Sequence, residues 1–336
     1  MKTAIFGFAG TGKSDLFAAL AGPVAAAAGD RAMVKVPEPR LDPLIELFKP
    51  KKVTYSEIEY RDVAGGGSAG KGLGDKVLNE IRQYECLLCV LDAFSGVSDP
   101  ADQLAAVETD FIVSDMAVAE KRLERIAMDK KKDKGLVNPK EEDLLHRTLK
   151  LFENETPLRN EPEVADAPEL RGFGFLSAKP VLYAWNISED ELGDFTPPEA
   201  GPGLSNIAVS ARLERDLAEM EGEEQQEFMN EMGVESSALD RVIKETYRLL
   251  GLINFLTAGD KEVRSWAIRD GSTAREAAGA IHTDIAKGFI RAEVLAYDDF
   301  LKAGSMKKAK ELGLLRLEGK EYIVKDGDII EFRFNV

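Results

Sequence analysis

The residues best suited to chemistry stand close to the amino end. Gly7-Phe8-Ala9-Gly10-Thr11-Gly12-Lys13-Ser14 fits G-x-x-x-x-G-K-[ST] without a mismatch. A short apolar run, Ala4-Ile5-Phe6, precedes it and Asp15-Leu16-Phe17-Ala18-Ala19-Leu20 follows, so the context is strand, glycine loop, helix. Glycines without a Cβ let successive backbone N–H groups turn inward and wrap anionic oxygens at the positive end of a helix. In that arrangement Gly10, Thr11 and Gly12 line a phosphate cup, Lys13 reaches the β- and γ-phosphates, and the Ser14 hydroxyl ligates Mg²⁺. This chemistry specifies the phosphates of a nucleotide; it leaves the base and hydrolysis undecided.

Further along, Asp62-Val63-Ala64-Gly65 closes an alternating stretch, Ser56 to Arg61. A D-x-x-G at that place delivers an acid to the Mg²⁺ shell and a glycine N–H to the γ-phosphate. Asp62 is therefore the second metal candidate beside Ser14. The glycine-rich residues from Gly66 to Gly74 are suited to a switch, and they contain no Gln or His to orient water. Asn186-Ile187-Ser188-Glu189 occupies the place where guanine-specific proteins of this architecture carry N-K-x-D. Here Ile187 replaces the Lys and Glu189 the Asp, so Asn186 and Glu189 are base candidates with weak guanine selectivity. Ser210-Ala211-Arg212, after the next strand, would close the base pocket.

These groups need a scaffold that brings them to one edge. Strands expected at residues 31–36, 56–61, 86–94, 180–185 and 206–210 alternate with helical stretches, which predicts a doubly wound α/β sheet with ligands outside the strand carboxyl ends. Between two of the strands, Ile112, Met116, Ala119, Leu123 and Ile126 step by four and three, the face of a helix with coiled-coil spacing. Asn138-Pro139-Lys140-Glu141 then reads as N-cap, first turn and capping-box acid of a second helix carrying Leu145, Leu149 and Phe152. The pattern predicts an antiparallel helical hairpin. Its tip carries Lys130, Lys131, Lys132 and Lys134, approached by Lys121, Arg122 and Arg125; a solvated turn and an RNA-phosphate contact both fit. In the tail, Arg264 to Ile268 alternates as a strand, Ser272 to Glu276 opens a helix with a capping-box acid, and residues 322–324 and 329–332 flank the turn Asp326-Gly327-Asp328. His282 with Asp284 reads as a structural hydrogen bond or a partner contact, with no nucleophile nearby.

Composition narrows the classes. The 336 residues are 44% hydrophobic and 31% charged, with core material for two or three domains. No apolar stretch reaches membrane-spanning length and the amino end lacks a signal-peptide pattern, so neither a membrane span nor secretion is expected. The net charge is −16. Residues 258 to 336 are balanced in acid and base, so the acidic excess lies upstream. A general polyanion-coating role and DNA specificity are disfavoured. Cys86 and Cys89 sit in an apolar strand that points them to opposite faces, and no second ligand pair exists; core packing in a reducing, cytoplasmic setting is expected over a redox or zinc site.

Taken together, the motifs resemble the YchF (Obg-like ATPase) family. The resemblance covers nearly the whole chain: phosphate loop, Val34-Lys35-Val36-Pro37-Glu38-Pro39-Arg40-Leu41, D-x-x-G, Gly72-Leu73-Gly74, hairpin, N-x-x-E and S-A-R. The tail is the most specific part, with His282-Thr283-Asp284, Gly288 to Val294, Tyr297-Asp298-Asp299 and Asp326-Gly327-Asp328 through Phe332-Arg333-Phe334-Asn335-Val336. It implies a Ras-like P-loop NTPase domain over residues 1–99 and 172–250, a coiled-coil hairpin over 100–171 and a β-grasp-like α+β TGS domain over 251–336. It implies Mg²⁺ with ATP, and GTP less selectively, with the ribosome or RNA as partner through the TGS domain and hairpin tip. By resemblance Lys13 and Ser14 hold phosphate and Mg²⁺, Asp62 and Gly65 sense the γ-phosphate, and Asn186 contacts the base. The chain departs from the family in both switches: no Thr stands between Thr11 and Thr54, Gly10-Thr11 replaces an Asn-Val pair, and the segment after Gly65 is shorter. Slow hydrolysis by a translation-related switch is the leading expectation. A nucleotide-bound adaptor that does not hydrolyse is the alternative, and a small-molecule kinase would need an arginine-bearing lid that is not evident.

Overall fold

The computed structural model describes residues 1–68, 70–132, 137–220, 222–232 and 237–335. Ala69 of the glycine loop, Lys134 of the expected hairpin tip and the terminal Val336 lie outside the described residues. The chain divides into two compact units, Met1–Met33 with Glu59–Leu249, and Val34–Ile58 with Leu250–Val336. In chain order, β1 (Lys2–Phe6), α1 (Lys13–Ala21), α2 (Pro23–Ala28) and β2 (Arg31–Lys35) come first. Next are α3 (Leu41–Phe48), β3 (Lys52–Thr54), β4 (Glu57–Asp62), α4 (Asp75–Ile81) and β5 (Cys86–Asp92). Helices α5 (Pro100–Lys132), α6 (Pro139–Glu153) and α7 (Pro162–Ala165) lead to β6 (Val181–Asn186) and β7 (Leu204–Val209), then α8 (Ala211–Ala218), α9 (Glu223–Glu231) and α10 (Ala238–Leu249). The tail holds β8 (Leu252–Ala258), β9 (Glu262–Arg269), α11 (Ala274–Ile281), α12 (Thr283–Lys287), β10 (Phe289–Leu295), α13 (Tyr297–Ala303), α14 (Met306–Glu311), β11 (Arg316–Glu318) and β12 (Ile329–Phe334).

The first sheet has the order β2-β4-β1-β5-β6-β7, and β4, β1, β5, β6 and β7 run parallel. A parallel sheet covered on both faces calls for continuous apolar strands, and β5 supplies one: Cys86 through Leu91 are all fully buried. Leu87, Cys89 and Leu91 face the cluster that includes Val77, Ile81, Val107 and Phe111. Both cysteines are free, and burial pushes the Cys86 thiol up to about 12 and the Cys89 thiol well above its usual value, as packing groups behave.

Helices α5 and α6 form the expected hairpin, with Ile112, Ala119 and Ile126 in one apolar cluster with Leu145 and Phe152. Seven-residue spacing on both helices keeps that seam continuous. The expected capping box at its second helix is only half made: the Asn138 side chain accepts from the Lys140 N–H at 3.0 Å, while Glu141 turns to Arg122 Nε at 2.6 Å. A bidentate pair across the hairpin wins over the reach back to the N-cap.

The second sheet has the order β11-β10-β12-β8-β9-β3; β12 runs parallel to β8 and β3 parallel to β9, and the other pairs are antiparallel. One face packs α11 through Ala274, Ala277 and Ala278; the other packs α3, α13 and α14 through Leu41, Leu44, Phe300 and Ala309. Thr273 and Glu276 complete the expected capping box. Residues 322–324 are not a strand; Ile323 makes a single bridge to Thr273. His282 is the N-cap of α12, its Nδ1 accepting from the Asp284 N–H at 3.2 Å.

The division between units departs from the expected boundaries at residues 34–58, which the sequence reading gives to the nucleotide domain and which pack with the tail. β3 pairs parallel with β9, and Leu41 and Leu44 are fully buried. A buried polar knot holds this segment. Glu38 accepts from Arg40 Nε at 2.6 Å and from Asn254 Nδ2 at 2.9 Å, Arg40 also reaches Asp326 at 2.8 Å, and the Ser56 hydroxyl donates to Asn254 Oδ1 at 3.1 Å. Hydrogen bonding to Glu38 keeps the Arg40 guanidinium protonated, well above its ordinary range. Among the described residues no helix is long and apolar enough to cross a membrane.

Candidate functional site

The site lies at the carboxyl ends of β1, β4, β5, β6 and β7, where the parallel strands expose their last carbonyls and the connections begin. Gly12 caps α1 in the left-handed region, φ 81°, and a Cβ there would come within 2.1 Å of Asn186 Nδ2. Two independent constraints, conformation and space, thus require glycine. The Thr11 hydroxyl donates to the Phe8 carbonyl at 3.2 Å and is buried, which closes the loop on itself.

Lys13 is buried and forms an ion pair with Asp62. That contact puts the D-x-x-G acid directly on the phosphate loop, although 49 residues separate the two. The Val63 N–H donates to the Ile5 carbonyl at 2.9 Å, which ties the end of β4 to β1. Gly65 lies against the same loop: a Cβ on it would stand 3.6 Å from the Gly7 carbonyl oxygen and 3.7 Å from Lys13 Cε. Ser14 follows Lys13 in the first turn of α1 and is exposed.

On the other side of Gly12, the buried amide of Asn186 is used at both ends. Its Nδ2 donates to the Thr11 carbonyl and its Oδ1 accepts from the Ala211 N–H, each at 2.9 Å. One side chain therefore joins the phosphate loop, the end of β6 and the start of α8. Beside it opens a cavity of about 420 Å³ lined by residues including Gly12, Ile187, Glu189 and Ser210. Glu189 points to Arg212 at 3.8 Å. The residues singled out from the sequence thus fall into two groups around Gly12: Lys13, Asp62 and Gly65 on one side, Asn186, Glu189, Ser210 and Ala211 on the other.

Several cavity residues escape the motif reading, Phe94, Asp15 and Arg215 among them. Phe94, 45% exposed, stands two residues beyond β5 and offers an aromatic face. Asp15 and Arg215 pair at 2.5 Å at the cavity wall, and the Asp15 carboxylate pushes the Arg215 guanidinium further above its ordinary value. Phe94 was findable, since every other strand end in this sheet carries a motif. Arg215 was not, because its partner lies 200 residues away.

Comparison with known proteins agrees with this geometry. Residues 252–335 match a family model described as YchF-GTPase_C, a protein of unknown function (DUF933). The chain is 41% identical to the ribosome-binding ATPase YchF of Bacillus subtilis (strain 168), an alignment covering 100% of both chains. It is 38% identical to the ribosome-binding ATPase YchF of Escherichia coli O157:H7, covering 100% of this chain and 99% of that one. Among solved structures, the Schizosaccharomyces pombe YchF GTPase superposes with a TM-score of 0.86 at 30% identity, covering 99% of this chain and 97% of that one. With such identity sustained from end to end, on a phosphate loop, D-x-x-G and N-x-x-E gathered at one sheet edge, the chain belongs to the YchF family.

Proposed function

We propose that this protein is a Mg²⁺-dependent purine-nucleotide switch that binds ATP, and GTP less selectively, hydrolyses it slowly, and works on the ribosome in the cytoplasm. The observation that carries this reading is the convergence of Lys13, Asp62 and Gly65 on one side of Gly12, with a nucleoside-sized cavity braced by Asn186 on the other. Lys13 and the backbone from Gly10 to Gly12 bind the phosphates. Phe94 offers a stacking surface, which every base can use, and Asn186 and Ala211 stand at the base edge. Guanine gains little from Glu189, whose carboxylate faces Arg212 and which has no lysine beside it along the ring.

The donor set suits Mg²⁺. The described residues hold no group of three or more His, Cys, Asp or Glu side chains that would make an all-protein cage. A hydroxyl from Ser14 and a carboxylate from Asp62 are hard oxygen donors of the kind a hydrated Mg²⁺ accepts alongside substrate phosphates. When bound, the ion neutralises charge developing on the phosphoryl oxygens. Gly65 then offers its N–H to the terminal phosphate and draws the following loop with it. Because that loop has no Gln or His, water must be ordered by backbone or by the nucleotide itself, and turnover is slow. Phosphate release from Mg·ATP by native protein and Lys13→Ala is the test: a Lys13-dependent rate is expected, and equal rates remove the enzyme.

The same missing groups favour a second reading, a nucleotide-bound adaptor that does not hydrolyse. Calorimetric binding of Mg·ATP without turnover decides for it. For either reading the partner is the ribosome, which the names of the Bacillus and Escherichia relatives state for those proteins. On the hairpin, Arg122 and Lys130 are engaged with Glu141 and Glu142. Lys121, Arg125 and Lys131 have no ion-pair partner among the described residues and are the cations left for RNA phosphates, an interaction that weakens steeply with salt.

A further inference from the structure

The glycine loop beyond Gly65 does not hang free. Ser68 and Gly72 form an antiparallel bridge, and the Lys71 N–H donates to the Ser68 carbonyl at 2.8 Å, so the loop folds back on itself. Its outgoing limb is fastened to the hairpin: the Leu73 N–H donates to Asp110 Oδ2 at 2.7 Å. Gly72, φ 73°, is seated so closely that a Cβ would stand 3.0 and 3.1 Å from the two Asp110 oxygens. Asp110 stands on α5, the long helix of the hairpin.

Five residues further along the same helix is a second grip. Asp115, fully buried, accepts from Arg82 Nη1 at 2.5 Å and from the Ser177 N–H and hydroxyl at 2.8 Å each. Arg82 caps α4, the helix that the glycine loop runs into, and it also donates to the Ser114 hydroxyl at 2.7 Å. Asp115 is fully buried among these donors, whereas the Asp110 carboxylate is half-buried and meets the loop at its edge. The first fixes α5 to its surroundings; the second joins it to the loop.

We infer that Asp110 is a positioning residue that transmits the state of the nucleotide-sensing loop to the hairpin. This rests on the proposed reading that the loop responds to the γ-phosphate. With 1.5 Å of rise per residue, Asp110 lies about 7.5 Å along α5 from Asp115 and the far end of α5 about 25 Å beyond Asp115, so the loop grips the helix at the root of the hairpin, where Val107 and Phe111 tie it to the sheet. The hairpin is then the element that carries the nucleotide signal to a partner. The glycines at 70, 72 and 74 let the limb move, while the bond to Asp110 makes α5 follow it.

Hydrogen exchange of the full-length protein with and without Mg·ATP tests this in native, Asp110→Asn and Asp110→Ala forms. Nucleotide should slow exchange in residues 63–74 and in residues 112–128 of the native protein. In Asp110→Ala the loop response should persist, with ATP affinity within about twofold, while the hairpin response is lost. Asp110→Asn keeps a neutral acceptor for the Leu73 N–H and should fall between the two, which serves as the test if the alanine form does not fold. A hairpin response in the variants equal to that of the native protein overturns the inference, as does a native loop that responds while the hairpin does not. Failure of native protein to bind ATP at all removes this inference together with the reading beneath it.

Discussion

Replacing Asn186 by alanine should damage phosphate binding, although Asn186 lies on the base side of the site. Its amide satisfies the Thr11 carbonyl and the Ala211 N–H, two backbone groups of buried residues, at 2.9 Å each. A buried group left unpaired costs about 1–3 kcal/mol. Water entering from the adjoining cavity offsets part of this, so the lower end applies, about 2 kcal/mol for the pair. If the loop relaxes from its binding geometry to recover that energy, the loss appears in affinity, roughly 30-fold. The informative ligand is tripolyphosphate, which has no base. Calorimetry with Mg²⁺ should find ATP and tripolyphosphate weakened by similar factors in Asn186→Ala. If tripolyphosphate binds the variant as tightly as the native protein while ATP does not, Asn186 is a base contact only and the bracing argument is wrong.

Gly12→Ala meets both a φ of 81° and Asn186 Nδ2 at 2.1 Å, so ATP binding should fall below detection while the β8–β9 sheet keeps native exchange protection; retained micromolar binding would contradict it. Ending the chain at Leu249 strips α3 of its partners, exposing Leu41 and Leu44 and leaving the buried Glu38 without Asn254; the fragment should aggregate, and a monomeric, cooperatively melting 1–249 would show that residues 34–58 do not need the tail. The thiols give a pH dependence. Cys86 is raised from the usual 9.0 to about 12 by burial, so the native state holds its proton while the unfolded chain loses it. Stability is therefore full below pH 9 and declines as pH rises toward 12, by up to about 1.4 kcal/mol per unit for each such thiol. Urea midpoints at pH 8 and 10.5 should fall for native protein and fall less for Cys86→Ala; parallel declines would refute the assignment.

What could be read from the sequence was what sequence-local spacing determines. The phosphate loop, the hydrophobic run of β5, the heptad seam of the hairpin and the Thr273–Glu276 box each need only neighbours within a few residues, so residue types were sufficient. That Asp62 would stand at the edge holding the phosphate loop could be inferred because D-x-x-G has a fixed place in this sheet order; its ion pair with Lys13 was not part of that reading. Partners chosen across the fold carry no such mark. Glu38 and Arg40 looked like part of a nucleotide-domain motif, yet their bonds to Asn254 and Asp326 cross more than 200 residues and draw the whole 34–58 segment into the second sheet. Glu141 had the right offset for a capping box and was taken instead by Arg122, because a charged fork at 2.6 Å is stronger than the reach back to one N–H.

Asp110 shows the same limit from the functional side. In sequence it is one acid among several along a long helix, with nothing to separate it from Asp102 or Glu120. Only the approach of Gly72 gives it meaning, and Gly72 can approach only because it has no side chain and takes φ 73°. The glycine content of the loop therefore has a structural reason besides mobility. At Gly72 the backbone must come within reach of a carboxylate on another element, and an alanine there would be strained and would meet that carboxylate at about 3 Å. The loop from Gly66 to Gly74 has this glycine and contains no Gln or His to orient water. Under the proposed function, that combination would keep a path for relaying nucleotide state while leaving any hydrolysis to the backbone and the nucleotide.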